Sequence, residues 1–128
     1  MDSEFFRNWT DQIRKGVLEL LLLSEIHRHG SYAYEIEQRL CKSCGLLMGH
    51  GVIYKMLSRF RRHRLVRTVE RRSPDGPGRK YYELTESGRQ TLAQMNAYWQ
   101  SLETQAQAVT GSRRIRSVSV EANPGASA

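Results

Sequence analysis

The sequence lacks a membrane-spanning run, a signal peptide and a disulfide framework. Its longest apolar run, Val17 to Leu23, is interrupted by Glu19 and is far too short to cross a bilayer. The first residues, Met1 to Glu4, do not carry the basic end of a signal peptide. The chain has only 2 cysteines, which in a reducing compartment are expected to be thiols. The absence of these three features predicts a cytoplasmic protein that has no membrane partner.

Recognisable catalytic chemistry is also missing. The sequence shows no nucleophile beside a base, no phosphate-binding loop and no pair of acids at a useful spacing, so we expect no enzymatic activity. The segment Cys41-Lys42-Ser43-Cys44 has the spacing of half a zinc site or of a redox pair. A structural zinc ion takes four ligands, and the chain has no second C-x-x-C. We therefore expect no metal and no cofactor, although a thiol or metal response through Cys41 and Cys44 stays open.

Positive charge is what the sequence has in excess. The formal net charge is +7 and the pI is about 9.8, which favours anionic partners such as nucleic acid or a membrane surface. The segment from Lys55 to Lys80 holds ten Lys or Arg residues and two acids, so its charge of about +8 exceeds that of the whole chain. The other residues are therefore close to neutral, and the charge is concentrated where the structural pattern is most distinctive.

Residues 49–85 combine a helix pattern with a hairpin pattern. Four apolar residues at helical spacing predict the buried stripe of a helix whose other sides are basic or carry hydroxyls: Ile53, Met56, Leu57 and Phe60. Two runs rich in β-formers follow, residues 65–72 and 79–85, and turn-forming residues 73–78 separate them. Helix, strand, turn and strand in this order predict an α+β winged helix-turn-helix with a two-stranded wing, and such a fold binds DNA.

Two helices are predicted before this segment. Residues 11–29 form an apolar helix that Thr10 or Asp11 can cap, and residues 32–42 form a second helix that Ser31 can cap. Residues 1–10 carry aromatic side chains at helical spacing and are predicted to be a helical arm. Residues 1–85 are then one DNA-binding domain.

A last helix is predicted over residues 86–110, with Thr85 as its cap. Its apolar residues alternate at spacings of three and four, which is the seam of a coiled coil and predicts a homodimer interface: Leu92, Met95, Trp99, Leu102, Ala106 and Val109. Packing of this seam on its own wing domain is the alternative. Residues 111–128 are rich in Ser, Arg, Gly and Ala and are predicted to be a disordered tail.

Several of these segments resemble the PadR family of bacterial transcriptional regulators. The run GHGVIYKMLSRFRRHRLV is similar to that family's recognition helix, and GRKYYELTESGR is similar to its wing and to the start of its last helix. Upstream, KGVLELLLL and SYAYEI resemble its first two helices, so the resemblance covers about Arg14 to Trp99. Lys55 stands where the family usually has Pro and Val52 where it has Thr, which predicts a different target sequence.

The predicted DNA contacts lie on the helix face, on the wing and at the start of the second helix. The exposed helix residues are expected in the major groove, and the wing residues at the minor groove or its phosphates. Tyr32 lies where a helix N-terminus can meet a phosphate. The full set is Tyr32, Tyr54, Lys55, Ser58, Arg59, Arg62, Arg71, Arg72, Arg79 and Lys80.

The resemblance implies a dimeric repressor that occupies promoter operators and that a small planar hydrophobic ligand releases. Some relatives bind such a ligand at an aromatic residue of the last helix, which implies a ligand site at Trp99, Met95 and Tyr98. Charge and pattern alone predict only a partner, double-stranded DNA. A winged helix that regulates through a protein partner, and a thiol- or metal-responsive regulator that uses Cys41 and Cys44, are the alternatives.

Overall fold

The computed structural model describes residues 3–44, 50–73 and 76–111. These residues form helices that pack around one small antiparallel sheet. The elements in chain order are α1 (Glu4–His29), β1 (Ser31–Tyr32), α2 (Ala33–Cys44), α3 (His50–Arg62), β2 (Val66–Ser73), β3 (Gly76–Leu84) and α4 (Glu86–Thr110). The strand order is β1-β3-β2. This arrangement confirms the predicted α+β winged helix-turn-helix with a two-stranded wing, β2 and β3, and a long C-terminal helix. None of the described helices is both long enough and apolar enough to cross a membrane.

Helix α1 begins earlier than the sequence analysis predicted. Ser3 is its N-cap, because the Ser3 hydroxyl accepts a hydrogen bond from the Phe6 N–H at 3.0 Å. The predicted helical arm is helical from Glu4 onward, but it is continuous with the next helix, so the predicted cap at Thr10 or Asp11 is wrong. The helix ends at Gly30, whose positive φ of 55° suits glycine and whose N–H donates to the Ile26 carbonyl.

Strand β1 is an element that the sequence analysis did not predict. Ser31 and Tyr32 pair with Tyr82 and Tyr81 of β3, so Ser31 lies in the sheet and is buried. Its hydroxyl donates to the Glu35 carboxylate at 2.6 Å. The sheet thus has a third, two-residue strand, and this strand ties the wing to the start of α2.

The core gathers apolar side chains from every helix and from the two wing strands. Its members include Leu22, Leu23 and Ile26 of α1, and the predicted stripe of α3 is buried in it. Burial of one such side chain contributes about 1.5–3 kcal/mol, so the core determines how α3 lies against the other helices. Tyr82 and Leu84 of β3 also belong to the core. The remaining members are Leu18, Leu20, Ala33, Ile36, Leu40, Val66 and Leu92.

The turn between α3 and β2 closes with a Schellman arrangement. The Leu65 N–H donates to the Phe60 carbonyl at 2.9 Å, and the Arg64 N–H donates to the Arg61 carbonyl at 2.9 Å. Arg64 adopts a φ of 58°, the left-handed conformation that this motif requires and that glycine adopts at the lowest cost. Helix α3 therefore ends sharply at Arg62, and the first wing strand begins at Val66.

The start of α4 is fastened to the same turn. Thr85 is the predicted cap, and its hydroxyl accepts a hydrogen bond from the Gly88 N–H at 2.9 Å. The same hydroxyl donates to the Arg64 carbonyl at 2.6 Å, and the Thr85 N–H donates to the Leu65 carbonyl at 3.0 Å. Gly88 is buried against this carbonyl, because a Cβ at position 88 would lie 2.0 Å from the Leu65 oxygen. The end of α3, the wing and α4 meet at one point.

Compact packing divides the chain at the boundary between Asn96 and Ala97, inside α4. The first unit, Met1–Asn96, holds the winged helix-turn-helix and the first turns of α4. The second unit begins at Ala97. The predicted tail of residues 111–128 lies outside the described residues from position 112 onward.

Candidate nucleic-acid interface

The surface of α3 is divided between an apolar side and a basic side. Ile53, Met56, Leu57 and Phe60 are buried, as their helical spacing predicted. At about 100° per residue, Gly51, Lys55, Ser58 and Arg62 lie opposite this stripe, and all four are exposed. The centre of the exposed face therefore offers cationic and hydroxyl groups on a helix that has no acidic residue between positions 50 and 62.

The exposed face is bounded on one side by a cleft against α1. This cleft has a volume of about 740 Å³, and its floor includes the apolar side chains Val52 and Met56. Lys15 on α1 adds a cation that the sequence analysis missed. The predicted contacts that line it are Tyr54, Lys55, Ser58, Arg59 and Arg62.

Arg59 is the predicted contact that already has an acidic partner. Its guanidinium Nη1 donates to the Glu19 carboxylate of α1. The Glu19 side chain is 20% exposed and the Arg59 side chain is 48% exposed, so the ion pair lies at the edge of the basic face. Arg59 therefore differs from Lys55 and Arg62, which lie at the centre of that face.

A second cleft lies between the start of α2, α3 and the wing. It has a volume of about 610 Å³, and five of the predicted contacts line it: Tyr32, Tyr54, Ser58, Arg79 and Lys80. Arg61 and Tyr34 line the same cleft and were not among the predicted residues. Nothing in the sequence indicates that these two residues share a cleft, because α2 and α3 come together only through packing in the folded chain. Hydroxyl and cationic groups from three elements thus converge on one concave surface, which suits a phosphate backbone.

The wing holds its arginines on aromatic rings. Arg71 and Arg79 are directly opposite each other in the β2–β3 register, where two like charges repel. The Arg71 guanidinium lies 3.7 Å from the centre of the Tyr81 ring, and that of Arg79 lies 5.6 Å from the centre of the Tyr32 ring. The two rings contact each other edge to face at 5.7 Å. These cation–π contacts offset part of the repulsion and orient the cations. Arg72, another predicted contact, is exposed on β2.

The base of the wing is joined to α1 through Tyr81. The Tyr81 hydroxyl donates to the His29 carbonyl at 3.1 Å, at the C-terminal end of the helix. Beside it, burial raises the pKa of the Tyr82 phenol, while the positive charge of Arg61 acts in the opposite direction. Tyr82 therefore stays neutral at physiological pH. Because the Tyr82 side chain carries no negative charge, it does not reduce the positive charge of the surrounding residues.

The residues predicted for a dimer interface fall into two groups. Leu92 is buried in the core of its own chain and Met95 packs against that core, so the structure assigns Leu92 to the fold instead of a seam. In the second unit, α4 exposes Trp99, Leu102, Ala106 and Val109. Tyr98, predicted with Trp99 and Met95 for a ligand, is exposed as well. The exposed part of the predicted seam thus begins beyond Met95.

The described part of the chain contains no cluster of three or more potential metal-binding side chains. Cys41 is an exposed free thiol on α2. Cys44 belongs to the last turn of the same helix, and its side chain lies outside the described set. A thiol or metal response at these positions stays an alternative from the sequence.

The family model of the Transcriptional regulator PadR-like family matches residues 22–94. The chain belongs to this family. The matched range extends from the last third of α1 to the first turns of α4, so it includes all of α3 and the wing. Membership of this family makes the protein a DNA-binding transcriptional regulator, in agreement with the basic surface of α3 and the wing. No curated protein matches the sequence.

Solved structures of PadR-like proteins share this fold. A PadR-like transcription factor from Bacteroides fragilis is 33% identical, with a TM-score of 0.68 over 80% of this chain and 99% of that chain. A PadR-like transcriptional regulator from Bacillus cereus is 32% identical, with a TM-score of 0.70 over 77% of this chain and 95% of that chain. A PadR family regulator from Eggerthella lenta, at 23% identity and a TM-score of 0.72, shows the fold alone.

Proposed function

We propose that this PadR-like protein is a cytoplasmic homodimeric repressor that binds double-stranded operator DNA. The observation that carries the proposal is the basic surface formed by the exposed face of α3 and the wing residues that lie next to the hairpin turn. The face of α3 fits a major groove, and the wing cations fit the adjacent phosphates or minor groove. The proposed contacts are Tyr32, Tyr54, Lys55, Ser58, Arg62, Arg71, Arg72, Arg79 and Lys80, with Arg61 added.

Two exposed apolar surfaces support a homodimer. In the first unit, α1 exposes Phe5, Phe6, Trp9 and Ile13, and the Phe6 and Trp9 rings stack at 6.2 Å. In the second unit, α4 exposes its aromatic and aliphatic residues, up to 81% for Val109. Apolar side chains at helical spacing are costly in water, and a second copy of the chain can cover them. A twofold dimer would present two recognition helices to half-sites about one helical turn apart.

Repression would follow from occupation of a promoter, and release from a ligand that changes the separation of the two recognition helices. The exposed rings of Trp99 and Tyr98 could stack on a planar hydrophobic effector. Met95, the third residue of the proposed ligand set, is half-buried. Without an effector, the same aromatic residues would serve only to fill a dimer interface.

A fluorescence anisotropy titration tests the proposed function. The labelled duplex carries the upstream region of the gene that encodes this protein, and a scrambled duplex of the same composition is the control. We expect preferential binding to the upstream duplex and a steep loss of affinity with salt, because each phosphate contact contributes about 0.9 to the slope of log K against log salt. Equal affinity for both duplexes would reject this operator. Absence of binding to either duplex at low salt would reject DNA binding and favour a protein partner.

A further inference from the structure

The ion pair between Glu19 and Arg59 links α1 to the recognition helix. The two residues are 40 positions apart in the sequence, and each is flanked by buried side chains: Leu18 and Leu20 beside Glu19, and Phe60 beside Arg59. The backbone on both sides of the pair is therefore held by the core. A carboxylate and a guanidinium that meet from two such fixed positions resist rotation of one helix against the other.

The position of Arg59 on α3 separates it from the groove-facing cations. At about 100° per residue, Arg62 lies opposite the centre of the buried stripe, whereas Arg59 lies about 60° to one side, toward α1. Arg61 lies on the opposite side, toward α2 and the wing. The Glu19 carboxylate holds the Arg59 guanidinium toward α1, whereas Arg62 lies at the centre of the exposed face.

We propose that Glu19 is a positioning residue for DNA recognition. By holding the Arg59 guanidinium on α1, it adds to the packing of the core in fixing the angle at which α3 meets the groove, and Arg59 orients the recognition helix instead of binding a phosphate. This inference rests on the proposed DNA-binding function and assigns to Arg59 a role different from the one predicted from the sequence. The specificity for an operator then depends on a residue of α1 that does not contact DNA.

The test compares Arg59→Gln with Arg62→Gln, a matched variant that removes the same charge three residues along the same helix. The probes are the tightest-binding duplex that the wild-type protein selects from a random library and a scrambled duplex of equal composition. Affinities are measured over a salt series at 25 °C, and circular dichroism verifies that each variant is folded. Glu19→Gln and the double variant Glu19→Gln/Arg59→Gln complete a double-mutant cycle with Arg59→Gln and the wild-type protein.

Arg62→Gln is expected to lower the salt slope by about 0.9 per bound chain, since it removes a phosphate contact. Arg59→Gln is expected to leave the slope unchanged while the selected-to-scrambled affinity ratio falls about two- to fivefold, the range that a partly exposed ion pair supports. Glu19→Gln should lower the selected-to-scrambled affinity ratio as much as Arg59→Gln does. The double variant should show no further fall in this ratio. A pair that only stabilised the fold would leave the ratio of the folded protein unchanged.

The inference is overturned if Arg59→Gln lowers the slope as much as Arg62→Gln, if Glu19→Gln leaves the ratio unchanged, or if the two losses multiply. Arginine side-chain NMR on the DNA-free protein tests the pair by itself. The Arg59 guanidinium signals should shift in Glu19→Gln and stay in place in Arg62→Gln, and unshifted signals would refute the contact. A wild-type protein that selects no duplex overturns the proposed function and the positioning role together.

Discussion

Arg64 is the position at which one substitution should raise the stability of this fold. Its φ of 58° lies in the left-handed region, which costs a residue with a side chain about 1–2 kcal/mol. Glycine avoids that cost, but its greater freedom in the unfolded chain offsets about 0.4–1 kcal/mol of the gain. Subtracting the middle of the second range from the middle of the first makes Arg64→Gly about 0.8 kcal/mol more stable than wild type. This gain corresponds to about 3 °C in melting temperature.

Arg64→Ala is the matched control, because it removes the same charge and keeps a Cβ in the left-handed conformation. Urea unfolding followed by circular dichroism, at one fixed protein concentration, gives the free energy of unfolding of each variant. Only the glycine variant should gain stability. An equal gain in Arg64→Ala would show that relief of charge repulsion in this basic segment is responsible. No gain in Arg64→Gly would refute backbone strain at position 64.

Three further substitutions test the junctions that hold the wing in place. Gly88→Ala should destabilise the fold by about 3 kcal/mol, because the added Cβ would lie 2.0 Å from the Leu65 carbonyl oxygen. A free energy of unfolding in urea equal to that of the wild-type protein would refute this close approach. Thr85→Val should cost about 1–2 kcal/mol, since the α4 cap and the bond to the turn are both lost. A value near zero would mean that water replaces the hydroxyl. Tyr81→Phe should cost about 1 kcal/mol through the lost bond to the His29 carbonyl, with the ring contacts retained. Tyr81→Leu, which also removes the ring, should cost more in the same assay, and equal costs would assign no energy to the aromatic contacts.

The recognition helix and the wing could be predicted because their signals are local. The buried stripe of α3 repeats at the helical period, and turn-forming residues separate two runs of β-formers. The strands extend further than predicted, because β2 reaches Ser73 and β3 begins at Gly76, inside the turn predicted over residues 73–78. Thr85 precedes a helical pattern by one residue, and it is the cap of α4 in the structure. In each case a few neighbouring residues determine the conformation, and tertiary packing acts in the same direction.

The features that sequence reasoning missed depend on tertiary contacts. Strand β1 has two residues, too few for a periodic pattern, and it exists because β3 pairs with it. The partner of Arg59 is 40 residues away, so a motif that places an arginine on a recognition helix cannot distinguish a phosphate contact from an ion pair with α1. Leu92 fits the spacing of a seam and of a core equally well, and its burial against the wing domain decides between them.

The junction around Leu65 has a consequence for how the proposed regulation would operate. The Leu65 carbonyl accepts a hydrogen bond from Thr85, the Leu65 N–H closes the last turn of α3, and Gly88 of α4 packs directly on the same carbonyl. A displacement of the first turn of α4 therefore cannot be absorbed there by side-chain rotation, because backbone atoms meet backbone atoms. It must move the end of the recognition helix and the start of the wing together. Any ligand or partner that shifts the start of α4 would thus act on both DNA-binding elements at once, which is the requirement for a switch that changes their placement without unfolding them.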